Sequence, residues 1–184
     1  MKLLTLLSIY TFCFGIVGFA QDRRITKTGA INFEASIPSF EEVKAKNETV
    51  TCIFDAKTGE IASLALIKGF RFKIALMEEH FNENYMESDR YPKATFKGSL
   101  EDFNLNLLGT SPKEFKLKGK LELHGKTKEI VTTARLKKIG NDIEIVSDFN
   151  VNSDDFNITI PKVVSKKVSK IVTIKMDFLV KSYN

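Results

Sequence analysis

Between Phe115 and Leu123 the chain alternates without a break. Phe115, Leu117, Gly119, Leu121 and Leu123 fall on one side, and Lys116, Lys118, Lys120 and Glu122 on the other. Successive residues of an extended chain point to opposite faces, so this segment is a strand with one dry face and one wet face. The same period recurs along the sequence. Ile31, Phe33, Ala35 and Ile37 alternate, as do Val50, Cys52 and Phe54, then Phe70, Phe72, Ile74 and Leu76. Ile143, Ile145, Phe149 and Val151 follow, and Val172, Ile174, Met176, Phe178 and Val180 form a last run. Residues 94–96, 100–107 and 130–136 supply the remaining strand signals.

Short turns join these runs. Residues 55–59 end in Gly59, and residues 140–142 form a Gly-Asn-Asp turn. Residues 124–127 read as a tight hairpin in which Gly125 suits the first central position of a type II′ turn. Gly69 interrupts the run from Ile61 to Leu76 and reads as a bulge or sharp bend. About eight antiparallel strands result, each with one apolar face. An open sheet of that size would expose that face and its own edges; closure into a barrel removes both faults. The expectation is an all-β fold, an antiparallel eight-stranded β-barrel, with a two-sheet sandwich as the competing arrangement.

The alternation fails once, in "ALMEEHFNENYMESDRYPKATFKG" at 75–98. Met77, Phe81 and Tyr85 recur every fourth residue, which is one stripe of a helix. Pro92 ends it, because proline pushes the residue before it toward extended geometry. A short capping helix is therefore expected near residues 76–88. It either plugs the barrel or lids a cavity, and the residues leave both readings open.

Residues 1–20 read as a signal peptide. Lys2 is the only charge before Asp22, residues 3–20 are apolar, and Gly18 and Ala20 suit cleavage between Ala20 and Gln21. The competing reading is a retained membrane anchor. Cleavage leaves residues 21–184 as a single domain with no transmembrane segment and one cysteine, Cys52, too few for an internal disulfide. The formal net charge is +5. The lysines alternate with apolar residues, and aromatics are not interleaved among them, so the basic character is that of a solvated sheet face and not of a nucleic-acid groove.

No constellation for chemistry emerges. His80 stands beside Glu79 but lacks the oriented partner that base catalysis needs. His124 precedes the hairpin glycine and is expected to be exposed. Glu78, Glu79, Glu83, Glu87 and Asp89 crowd one short segment and read as a solvated face. No His-x-His or Cys-x-x-Cys spacing occurs, so neither a metal site nor a cofactor is expected, and the protein is not read as an enzyme.

Four segments in register carry a family resemblance. "MEEHFNENYMESDRYPKATFKG" at 77–98 resembles the central signature of the YceI-like family. "GAINFEASIPSFEEV" at 29–43 resembles its opening strand, and "FKLKGKLELHGKTKEI" at 115–130 its glycine- and leucine-patterned hairpin. "FNVNSDDFNITIP" at 149–161 is similar to its Asp-Phe-x-Ile-x-x-Pro segment, carried by Asp155, Phe156, Ile158 and Pro161. The resemblance implies a lipocalin-like barrel with an apolar tunnel for a long lipid, a polyisoprenoid or isoprenoid quinone. It also implies export to the periplasm of a Gram-negative bacterium, or secretion. A homodimer stays open.

Alternation then selects the residues expected to line the tunnel: Phe33, Phe54, Phe70, Phe72, Phe96, Leu117, Leu121, Phe149, Ile174, Met176 and Phe178, with Met77, Phe81 and Tyr85 closing one end. The expected function is binding, sequestration or transport of that lipid. The rival is a filled barrel that acts through its surface in the cell envelope, in stress response or adhesion.

Overall fold

The computed structural model describes residues 22–182; the expected signal peptide and its cleavage site lie outside the described residues. Eight long strands form the barrel: β1 (Arg23–Ser36), β2 (Lys44–Asp55), β3 (Glu60–Leu66), β5 (Lys93–Leu100), β6 (Lys113–Leu123), β7 (Lys126–Ile139), β8 (Asp142–Asn152) and β9 (Val168–Ser182). A two-residue strand, β4 (Arg71–Phe72), lies on β2, and one short helix, α1 (Ala75–His80), follows it. The sheet runs β1-β9-β8-β7-β6-β5-β3-β2, and β2 pairs back onto β1, so it closes with every pairing antiparallel. Closure leaves none of the eight strands with a free edge, which answers the fault of an open sheet.

The strand assignments differ from the sequence expectation at three places. After Gly69 the run does not continue as a strand. Residues 67–69 make a 3₁₀ turn, only Arg71–Phe72 pair with β2, and Leu76 sits exposed on α1. The physical reason is local. The Asn47 side chain donates to the Leu66 carbonyl at 3.0 Å, and a Cβ on Gly69 would come within 2.6 Å of its Nδ2. The Phe72 amide donates to the Glu78 carboxylate at 3.1 Å, so the helix takes the donor a strand partner would need. The second difference is at 100–107, where β5 ends at Leu100 and a 3₁₀ turn, Leu105–Leu107, follows, capped by the Asn104 side chain accepting from the Asn106 amide. The third is the hairpin between β6 and β7. His124 and Gly125 both have positive φ, 50° and 71°, which is a type I′ turn with Gly125 second, not a type II′ turn with Gly125 first.

One end of the barrel is solid. Phe54, Leu117, Leu136, Ile143, Ile145, Phe178 and Val180 are fully buried there, and Phe103 packs its ring against Phe54 and Phe115 at centroid distances of 5.3 and 5.4 Å. Cys52 lies in the same core. Burial pushes its thiol pKa up from 9.0 to about 12. A raised folded-state pKa leaves stability intact below 9 and removes it as pH rises from 9 toward about 12, where the unfolded chain ionises first. The native protein is therefore expected to resist a thiol-specific reagent at about pH 8, because the thiolate is the nucleophile. The denatured chain should react fully. Rapid labelling of the native protein would contradict the packing.

Candidate functional site

The other end of the barrel is hollow. A cavity of about 340 Å³ opens there between α1 and the segment that leads into β9. Its floor is Phe96, Leu121 and Met176, resting on the solid half. Phe96 reaches that position because Gly98 and Gly119 face each other across β5 and β6. A Cβ on Gly119 would meet the Phe96 ring at 2.5 Å. An aromatic ring laid over paired glycines is a recurrent way to pin a sheet. The space exists because small side chains stand on the inner face of the neighbouring strands: Ser63 and Ala65 of β3 and Ala94 of β5, with Ala65 and Ala94 direct cross-strand partners.

Helix α1 closes part of the open end. Phe81, one residue past it, enters a cluster with Phe33, Phe70 and Phe72 at ring-centroid distances of 5.3, 5.8 and 5.1 Å. Residues 81–85 form a wider π-turn, with the Met86 amide donating to the Phe81 carbonyl at 2.9 Å. Such turns are frequent at functional sites. Met77, Phe81 and Tyr85, the expected stripe, all face the cavity. The helix is held by aromatic contacts, yet open space remains beneath it.

Of the expected lining residues, eight selected by alternation border this cavity, Phe33, Phe70, Phe72, Phe96, Leu121, Phe149, Ile174 and Met176, together with the helical stripe Met77, Phe81 and Tyr85. Phe54, Leu117 and Phe178 do not; all three are packed in the solid half. Several wall residues are not among the expected lining: Ala65 and Ala94, Ser153 and Phe156 in a 3₁₀ turn after β8, and Ile160 and Val164 beyond it. The ionisable lining residues, Glu41, His80 and Lys167, are exposed at the rim. Near the rim, the hydrogen bond and charge of Lys44, 2.7 Å away, hold the Glu42 carboxyl below its usual range. Among the described residues no three His, Cys, Asp or Glu side chains gather as a metal-binding group.

His124 corrects an expectation. It is buried, not exposed. Its Nδ1 is 3.0 Å from the Phe156 carbonyl, its Nε2 is 3.3 Å from Glu87 Oε1, and its ring packs on Tyr91 at 4.5 Å. The side chain thus ties the loop after the helix to the 153–156 turn, and both border the cavity. Both partners are acceptors. A neutral imidazole carries one N–H and serves one of them, and the imidazolium serves both. His124→Asn keeps a residue type that tolerates positive φ. It is expected to lower stability by about 2 kcal/mol, because a buried carbonyl loses its partner. Urea unfolding would measure the loss, and an unchanged midpoint would contradict the tie.

A closed antiparallel barrel, solid at one end and holding an open-mouthed apolar cavity at the other, is the build of a barrel with an internal ligand pocket. The family model for the YceI-like domain matches residues 19–180, and the chain belongs to that family. Three solved structures share the fold. A polyisoprenoid binding domain from Saccharophagus degradans, implicated in plant cell wall breakdown, aligns with a TM-score of 0.76 at 14% identity, over 89% of this chain and 99% of that one. BcnA of Burkholderia cenocepacia aligns at 0.67 with 16% identity, over 83% and 96%. The Campylobacter jejuni YCEI protein aligns at 0.61 with 15% identity, over 100% and 99%. No curated protein matches the chain by sequence.

Proposed function

We propose that the barrel binds a long apolar lipid, a polyisoprenoid or isoprenoid quinone, and sequesters or carries it in the periplasm or outside the cell without catalysing a reaction on it. The observation that carries this reading is the apolar cavity under the aromatic-anchored helix. Its walls offer hydrocarbon, and each buried methylene stabilises a bound chain by about 0.8 kcal/mol. At about 340 Å³ the cavity lies at the lower end of ligand-pocket sizes. It therefore takes a segment of a long lipid and leaves the remainder at the mouth. One polar group fits an oxygen-bearing head. The Ser153 hydroxyl is buried, borders the cavity and has no hydrogen-bond partner among the described residues. A buried hydroxyl left unpaired is costly, and a ligand oxygen would satisfy it. The description of the Saccharophagus degradans domain as polyisoprenoid binding supports the same ligand class. Export rests on the character of residues 1–20.

The test is native mass spectrometry of protein purified from its source, followed by organic extraction and lipid identification. A co-purifying isoprenoid, or uptake of added polyprenol or quinone, is the expected result. A clean apo mass with no uptake of either would overturn the reading and return attention to the outer surface.

A further inference from the structure

We propose that the rim of the cavity is a docking surface for an anionic lipid bilayer, by which the barrel takes up and releases its ligand. This rests on reading the cavity as a lipid site. Exposed apolar side chains stand on the loops and the helix of the open end. Val163 is 85% exposed, Leu76 57% and Phe40 46%. Each is the chain neighbour of a cavity-lining residue: Val164, Met77 and Glu41. Ser36 pairs with Val168, so the loop that carries Phe40 and the segment that carries Val163 leave the barrel side by side.

Charge says what covers this face. From Pro161 to Lys170 the chain holds four lysines and no carboxylate. Lys170 pairs with Asp154 at 2.7 Å, whereas Lys162 and Lys166 are exposed and have no ion-pair partner among the described residues. Successive turns wind residues 161–168 so that Val164 and Val168 face the cavity while Lys162, Val163 and Lys166 face water. An exposed apolar tip, Val163, between the unpaired Lys162 and Lys166 suits an interface that is hydrocarbon below and anionic above. The carboxylates of the helix set the orientation. Glu78 is paired with Arg71, but Glu79 and Glu83 beyond Leu76, and Glu41 beside Phe40, are exposed, so the basic segment meets the headgroups first, with Val163 as its apolar tip. A lipid leaving the bilayer would then meet the mouth without crossing water.

Flotation with vesicles tests the surface. The protein is expected to float with vesicles of phosphatidylglycerol and phosphatidylethanolamine, to ignore vesicles of phosphatidylcholine, and to lose binding steeply as salt rises. Lys162→Gln and Lys166→Gln should each weaken partition about fivefold, and about twenty-fivefold together. Val163→Asp should weaken it further. None of the three residues lines the cavity, so uptake of polyprenol from an ethanol dispersion should be unchanged in all of these variants. Equal flotation with both vesicle types, or partition untouched by these substitutions, would overturn the docking surface even if dispersed polyprenol is taken up. No uptake from dispersion would instead bring down the lipid reading and the loading route together.

Discussion

Ala94→Phe is expected to lower affinity for a polyisoprenoid at least a hundredfold and to leave the barrel folded. Ala94 lies on the inner face of β5 beside Ala65 of β3, and the two methyl groups leave the space that forms that side of the cavity. A phenyl ring there occupies room a ligand chain would use. Displacing about four methylenes removes about 3 kcal/mol of binding, which is the hundredfold loss. The folded state gains in return. The ring is buried against Phe96 and its neighbours, for about 1.5–3 kcal/mol, and phenylalanine suits a strand better than alanine. The measurement is displacement of a fluorescent polyene probe, run beside thermal unfolding. Lost binding with a melting temperature equal to or above that of the parent is the expected pair of results. Full binding by the variant would place the ligand elsewhere.

Why Ala94 was not legible in the sequence while Phe96 was shows where the sequence signal ends. Period-two alternation says which residues point inward, and it placed Phe33, Phe96, Leu121 and Met176 on the inner face. It says nothing about depth along the barrel axis. Phe54, Leu117 and Phe178 alternate just as well, yet they sit in the solid half. Depth is set by cross-strand neighbours: Gly29 admits the Phe178 ring, and the Gly98–Gly119 pair admits the Phe96 ring. The cavity is also made by what is small, and alternation can point an alanine inward without marking the space it leaves. The helix was legible because Met77, Phe81 and Tyr85 keep a four-residue spacing. His124 is buried, against the sequence expectation, because its partners are Phe156, 32 residues away, and Glu87, 37 residues away. The turn-rich segment at 157–167 has no period at all, and its relation to the mouth exists only in three dimensions.

The same split between halves predicts that equal truncations will have unequal consequences. Phe178→Ala is expected to destabilise the protein by about 3–5 kcal/mol. The ring is fully buried, a Cβ on Gly29 of β1 would lie within 2.5 Å of its Cδ1, and Ile145 of β8 stands directly opposite. It therefore sits on the seam where the last strand closes the barrel against the first, beside a register shift in β1. Removing it leaves a void among groups that cannot collapse, because three strands hold their positions through the ladder. A loss of that size is a large part of the about 5–15 kcal/mol that holds a domain folded. Phe33→Ala deletes the same atoms from the hollow half, where the ring is only partly buried and already borders open space. Its expected loss is under about 2 kcal/mol, because little new void is created and little apolar area returns to water. Lipid affinity should follow the reverse order, falling for Phe33→Ala and holding for Phe178→Ala wherever that variant remains folded. Urea unfolding with an unchanged slope, paired with probe displacement, reads both. Similar stability losses in the two variants would mean that the barrel is packed alike from end to end and that its hollow half is no separate binding compartment.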